Sequence, residues 1–102
     1  MLIVTGVFRV DPSDVDAFVE SRKPSMANSR AEKGCLEYVV APDVLDPGRV
    51  ILSERWESRA NLDAHVAAMA SAPPPDPAAP PAVELLSREV WIYEIASSEQ
   101  MA

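Results

Sequence analysis

His65 is the only side chain of this 102-residue chain whose ordinary pKa, about 6.5, lets it take up and release a proton near neutrality. It belongs to the series Leu62, His65, Val66 and Met69, a helical spacing that places the imidazole on an apolar stripe. Two uses fit such a residue. One is a general base working against a dry wall of Leu62, Val66 and Met69. The other is a core histidine hydrogen-bonded to a backbone carbonyl, and spacing alone favours it. Trp56, near the end of an apolar run, can stack on a flat substrate or shape a pocket mouth, although plain core packing is the commoner use. Thr5 is a hydroxyl on an apolar segment, equally suited to a polar contact in a pocket and to simple strand formation. Tyr38 and Tyr93 carry phenols able to donate to a carbonyl, but packing with the hydroxyl at a rim is more usual. Cys35 has only Lys33 as a nearby cation and no resolving cysteine, so it reads as a small buried residue.

The elements that must position these groups follow from local pattern. Residues 2 to 10 are rich in Val, Ile and Phe on both alternating faces, as in a strand covered on both sides. Asp11-Pro12-Ser13-Asp14 then provides a cap, a proline for the first helical turn and an acid, followed by Val15, Phe18, Val19, Arg22 and Met26 at helical spacing. This helix should end at Gly34, and Pro24 predicts a kink or break near Lys23. Cys35 to Ala41 and Val50 to Glu57 are two strands joined by a turn-rich segment, hence a hairpin. Glu54 shares the Trp56 face while Arg55 opposes it, a pattern suited to a structural ion pair. Ser58 can cap the His65 helix, which Pro73 to Pro81 must terminate. That block contains Pro77-x-x-Pro80, but its place between two elements of one small domain suits a stiff loop, with a lid over a pocket as a further use. Ala82 to Leu86 can recover one helical turn before a last strand, Arg88 to Ile95, with Trp91 and Tyr93 on one face and Val90 and Ile92 on the other.

The order β-α-β-β-α-β is that of an α+β, ferredoxin-like domain, an antiparallel sheet with both helices on one face. Residues 1–96 form this single domain, with 70–82 as its proline-rich loop and 97–102 as a short tail. The bare sheet face needs cover, and a second copy of the same sheet predicts a homodimer. For this length a radius of gyration of roughly 13 Å is expected. Sixteen Asp and Glu against nine Lys and Arg, a net charge of −7, argue against nucleic acid and anionic membrane surfaces as partners. One cysteine and one histidine offer no paired ligands for a zinc site, and the composition reads as cytoplasmic and metal-free. The apolar start breaks at Arg9 and has no basic leader, so it reads as a strand and not a signal peptide.

Four segments in order, the opening apolar strand, Ser29-Arg30-Ala31-Glu32-Lys33-Gly34-Cys35-Leu36-Glu37-Tyr38, Glu54-Arg55-Trp56-Glu57 and Leu62-Asp63-Ala64-His65, resemble the antibiotic-biosynthesis-monooxygenase family, in particular its quinol-monooxygenase-like branch. The resemblance spans residues 1 to about 70. It implies a dimeric α+β barrel in which each subunit keeps a pocket between sheet and helices. Some relatives oxidise quinols or anthrones with dioxygen and no cofactor, and others degrade haem. Two departures matter. Many relatives carry a second histidine about five residues after the first, where this chain has Met69-Ala70. The haem-degrading branch uses an asparagine on the first strand, where one face here offers Ile3, Thr5, Val7 and Arg9, so haem degradation is a minor reading.

Triplet dioxygen reacts slowly with closed-shell molecules, so a cofactor-free enzyme must deprotonate its substrate to make it electron-rich. The resemblance moves His65 toward that role, with Thr5, Trp56, Leu62, Val66 and Met69 as substrate-binding residues. The function it implies is a cofactor-independent monooxygenase acting on a small aromatic quinol- or anthrone-like molecule. The alternative is a non-catalytic dimer that binds a small apolar metabolite in the same pocket.

Overall fold

Strict alternation of side chains along four strands sorts this chain into a buried and an open face. The computed structural model describes residues 1–74 and 76–101. Pro75, inside the proline block, and Ala102, the last residue of the tail, lie outside the described residues. The elements are β1 (Leu2–Arg9), a 3-10 turn (Pro12–Asp14), α1 (Val15–Arg30), β2 (Cys35–Pro42), β3 (Arg49–Trp56), α2 (Arg59–Ala70) and β4 (Ser87–Glu94). The strands form one antiparallel sheet in the order β2-β3-β1-β4, the ferredoxin-like arrangement expected from the order of elements.

β1 sits between β3 and β4, and its register decides which residues share a face. Val4 lies opposite Glu54 on β3 and Ile92 on β4, and Phe8 lies opposite Val50 and Arg88. The even-numbered positions Leu2, Val4, Phe8, Tyr38, Val40, Val50, Leu52 and Trp56 point to the helices and, with Val10, Phe18 and Leu62, make the core. The odd-numbered positions of β1 and β3 point the other way. Ile3, Val7 and Ile51 are only partly covered there, and Trp91 and Tyr93 on β4 are exposed. The two-sided cover expected for β1 is thus half supplied within one chain.

Three further expectations are corrected. α1 runs through Pro24 without interruption. Pro24 and Glu20 are both exposed, so the Glu20 carbonyl that loses its helical donor faces water, and the packing of α1 on β2 holds the axis. Residues 82–86 form no helical turn. They carry no regular structure and end in a bend at Leu86, whose N–H donates to the Arg9 carbonyl at 2.8 Å and leads directly into β4. The radius of gyration is 14.7 Å, larger than expected, because the chain is a thin slab of 42 × 34 × 22 Å with helices on one side.

Pro24 removes a helical hydrogen bond without being buried. Pro24→Ala is therefore expected to stabilise the chain by about 1–2 kcal/mol and to raise the thermal midpoint by at least about 4 °C. An unchanged midpoint in a calorimetric scan would show that α1 has already absorbed the proline.

Candidate active site

Ser58 starts α2 by accepting the Asn61 N–H at 3.1 Å, a side-chain cap that sets where the first turn begins. Asn61 lies against Gly34, in the turn that follows α1. Gly34 has φ +80°, and a side chain there would overlap Asn61, so glycine is required both for the turn and for the approach of α2. The Glu57 N–H donates to the Gly34 carbonyl at 2.9 Å and ties the same turn to the end of β3. His65 follows Asn61 by four residues on the same helix face. The approach at Gly34 therefore delivers the imidazole onto Glu32, two residues before the glycine, and onto the end of β3.

His65 is 3% exposed. Its Nδ1 is 3.2 Å from both carboxylate oxygens of Glu32. A carboxylate only accepts, so Nδ1 carries the proton and the lone pair of the neutral ring is on Nε2. That nitrogen lies 3.8 Å from Oε1 of Glu54, too far for a hydrogen bond but close enough for a charge on either group to be felt by the other. Glu54 is 5% exposed and accepts the Trp56 indole N–H at 2.9 Å. Burial pushes the Glu54 carboxyl above its ordinary range, partly offset by the indole hydrogen bond and by His65. Trp56 packs on the imidazole with ring centres 4.7 Å apart, and Tyr38 with centres 5.5 Å apart. Burial and the Glu54 charge raise the Tyr38 phenol, keeping it a neutral donor.

These groups open onto a cavity of about 380 Å³ between the sheet and α2, within the usual range for small-molecule sites. Glu54, His65 and Tyr38 lie on its wall, Val4, Leu52 and Val90 are among its apolar residues, and Val66, Met69 and Leu85 stand at its more exposed side. The arrangement can accept a proton at Nε2, hold the imidazole by Glu32, and exclude most water from the acceptor.

The residues singled out in the sequence are distributed unequally. His65, Val66 and Met69 line the cavity. Leu62 is buried beneath them in the core, and Trp56 is 0% exposed. Trp56 therefore supports His65 and Glu54 from behind instead of presenting a ring to the opening. Thr5 lies on the opposite sheet face, because the alternation that turns Val4 inward turns Thr5 outward. Glu54 does not pair with a base at the surface. Arg55 pairs instead with Glu37 at 3.1 Å, on the open face. The signal for Glu54 was its shared parity with Trp56, which marks a carboxyl on the buried side. Glu32 left no comparable trace, since its meeting with His65 depends on the path of the turn. Arg22 was visible as a charge within the apolar series of α1.

The family model for antibiotic biosynthesis monooxygenases matches residues 1–71, from β1 through the whole of α2. The chain belongs to this family. A protein assigned as an antibiotic biosynthesis monooxygenase from Deinococcus radiodurans superposes with a TM-score of 0.77 at 17% identity, over 100% of this chain and 99% of that one. Rv0793 from Mycobacterium tuberculosis is 26% identical, with a TM-score of 0.64 over 99% and 98% of the two chains. The haem-degrader MhuD of the same organism shares the fold at 14% identity, with a TM-score of 0.67 over 98% and 100%. No curated protein matches the chain significantly. Among the described residues no helix is long and apolar enough to cross a membrane.

The raised Glu54 carboxyl has a signed consequence. Its neutral form is favoured in the folded chain, so the associated stability is complete below the ordinary value of 4.5 and is lost as pH rises through the higher folded value. Glu54→Gln keeps the shape and removes the titration. The stability of the native sequence relative to this variant should fall as pH rises above about 4.5 and then level off. Parallel unfolding curves for the two proteins across pH 4 to 8 would show that Glu54 titrates as in water.

Proposed function

We propose that this chain is a cofactor-independent monooxygenase of the quinol-monooxygenase-like branch, acting on a small aromatic quinol- or anthrone-like molecule with His65 as the base. The observation that carries this reading is the single imidazole held by Glu32 through Nδ1, with its Nε2 lone pair beside Glu54 at the wall of an apolar cavity. Val66 and Met69 supply apolar wall, while Trp56 and Leu62 hold His65 from behind; Thr5, on the other face, has no part in this site.

For an anthrone the steps balance without an added redox partner. His65 Nε2 takes a proton from the ring carbon, and Glu32 stabilises the resulting imidazolium. The carbanion passes one electron to dioxygen, and the two radicals combine to form a carbon–oxygen bond. The imidazolium returns its proton to the peroxide. Loss of water then leaves a second ring carbonyl, so one oxygen atom enters the product and the other leaves as water. Burial pushes the Glu54 carboxyl up beside the anion, and the neutral Tyr38 phenol can donate to the substrate oxygen. His65→Gln retains a donor for Glu32 and removes the base. It should lower oxygen uptake with an anthrone and naphthoquinol panel by about 100-fold or more while leaving the circular dichroism spectrum unchanged. Uptake equal to that of the native sequence would remove His65 from the chemistry.

The same reading includes a homodimer formed through the open sheet face. Its support is the apolar content of that face, which Ile3, Val7, Ile51 and Tyr93 share with Trp91, itself 57% exposed. Trp91→Arg, on an edge strand, should shift the protein from dimer to monomer in sedimentation at micromolar concentration. A variant that sediments like the native dimer would place the interface elsewhere.

A further inference from the structure

Acids outnumber bases in this chain, sixteen to nine, and most arginines have found a partner. Arg9 pairs with Asp46, Arg49 with Asp43, Arg55 with Glu37 and Arg59 with Glu94, while Arg30 donates to the Tyr38 carbonyl at 2.8 Å. Arg22 and Arg88 have no carboxylate within ion-pair distance among the described residues, and both line the cavity that contains His65. Two unpaired guanidiniums in one cavity of an acidic protein require an explanation in terms of what enters it.

Their placement is specific. The guanidinium carbon of Arg22 lies 4.9 Å from the centre of the Phe18 ring and 5.8 Å from that of Phe8, so the planar group rests on aromatic faces. Its Nε is buried without any hydrogen-bond partner, a donor whose desolvation nothing in the chain offsets. Arg88 is the β4 residue opposite Phe8, on the helix side of the sheet. The His65 end of the cavity is at the Val4–Glu54 row, four strand residues away from the Phe8 row, or roughly 13 Å. Between them lie Leu52 and Val90, whose side chains close over Gly6, where a Cβ would come within 3.1 Å of Leu52 and 3.3 Å of Val90, and these two side chains form the apolar middle of the cavity. The cavity therefore has a proton acceptor at one end, an apolar middle and two cations at the other.

We propose that the substrate is an aromatic molecule carrying a carboxylate at the end opposite its acidic hydroxyl or carbon, and that Arg22 and Arg88 bind this carboxylate. The proposal rests on the reading of the cavity as the substrate site. A carboxylate matches the forked donors of a guanidinium, and two of them fix both the position and the direction of the ring that it terminates. With the anion held there, the acidic group faces His65 and not the cavity mouth. Arg22 and Arg88 are in this sense positioning residues that select the substrate.

Two probes differing only in the carboxylate test this directly. 6-Hydroxy-2-naphthoate bears a phenol and a carboxylate at opposite ends, and 2-naphthol lacks the carboxylate. In titrations followed by naphthol fluorescence, the native protein should bind the naphthoate about tenfold or more tightly than 2-naphthol. Arg22→Met and Arg88→Met should each weaken naphthoate binding by about tenfold and leave 2-naphthol binding unchanged. The unchanged naphthol affinity certifies a folded cavity, and Arg88, which is exposed, can be replaced without opening the core. Equal affinity for the two probes, binding of neither, or a naphthoate preference that survives both substitutions would overturn the proposal. Absence of oxygen uptake together with an arginine-dependent naphthoate preference would instead overturn the monooxygenase reading and leave the carboxylate site standing.

Discussion

Every side chain in the candidate site is where it is because β1 lies in the middle of the sheet and alternates without a break. Pairing Val4 with Glu54 and Ile92 puts a carboxyl on the helix side of β3, where water is scarce, and pairing Phe8 with Arg88 puts a cation on the same side at the other end. A slip of one residue would turn Glu54 to the open face and Arg55 inward. The core resists that slip, since it would turn Val50, Leu52 and Trp56 away from their β1 partners Phe8, Gly6 and Leu2 and expose all three at once. The chemistry thus depends on hydrophobic register before it depends on any polar contact.

Upon that sheet, a single close approach completes the polar arrangement. Gly34 lets the first turn of α2 settle against the turn after α1, and one helical turn later His65 meets Glu32. Trp56 serves both sides of the arrangement, packing on the imidazole and donating to Glu54. A buried histidine between two carboxyls would be a burden in a site built only for packing. Here Nδ1 fixes the orientation of the ring, Nε2 remains free to accept a proton, and burial favours the neutral form of Glu54 beside it.

Much of the fold was legible because local rules and tertiary context agree. The caps at Asp11 and Ser58 and the β2–β3 hairpin lie close to where sequence pattern puts them, whereas α1 ends at Arg30, short of Gly34, whose positive φ serves the turn that leads into β2. Pro24 misleads because its local penalty falls on a face where water can replace the lost donor, and helix packing outweighs it. In the site, the helical stripe identified His65, Val66 and Met69, all of which depend on a period of 3.6 residues within one element. Trp56 and Thr5 required a knowledge of which strand face turns toward the helices, and Thr5 falls on the opposite side from the cavity.

The order of elements, the single histidine and the apolar stripe that carries it can be read along the chain, because these depend on neighbours within a few residues. The tertiary structure alone decided that Glu32 and Glu54 flank that histidine and that Arg22 and Arg88 share its cavity. Those residues come from four separate segments. Their meeting is set by sheet register and by the approach of α2 at Gly34, which are properties of packing between distant parts of the chain and leave no periodic trace in any one of them.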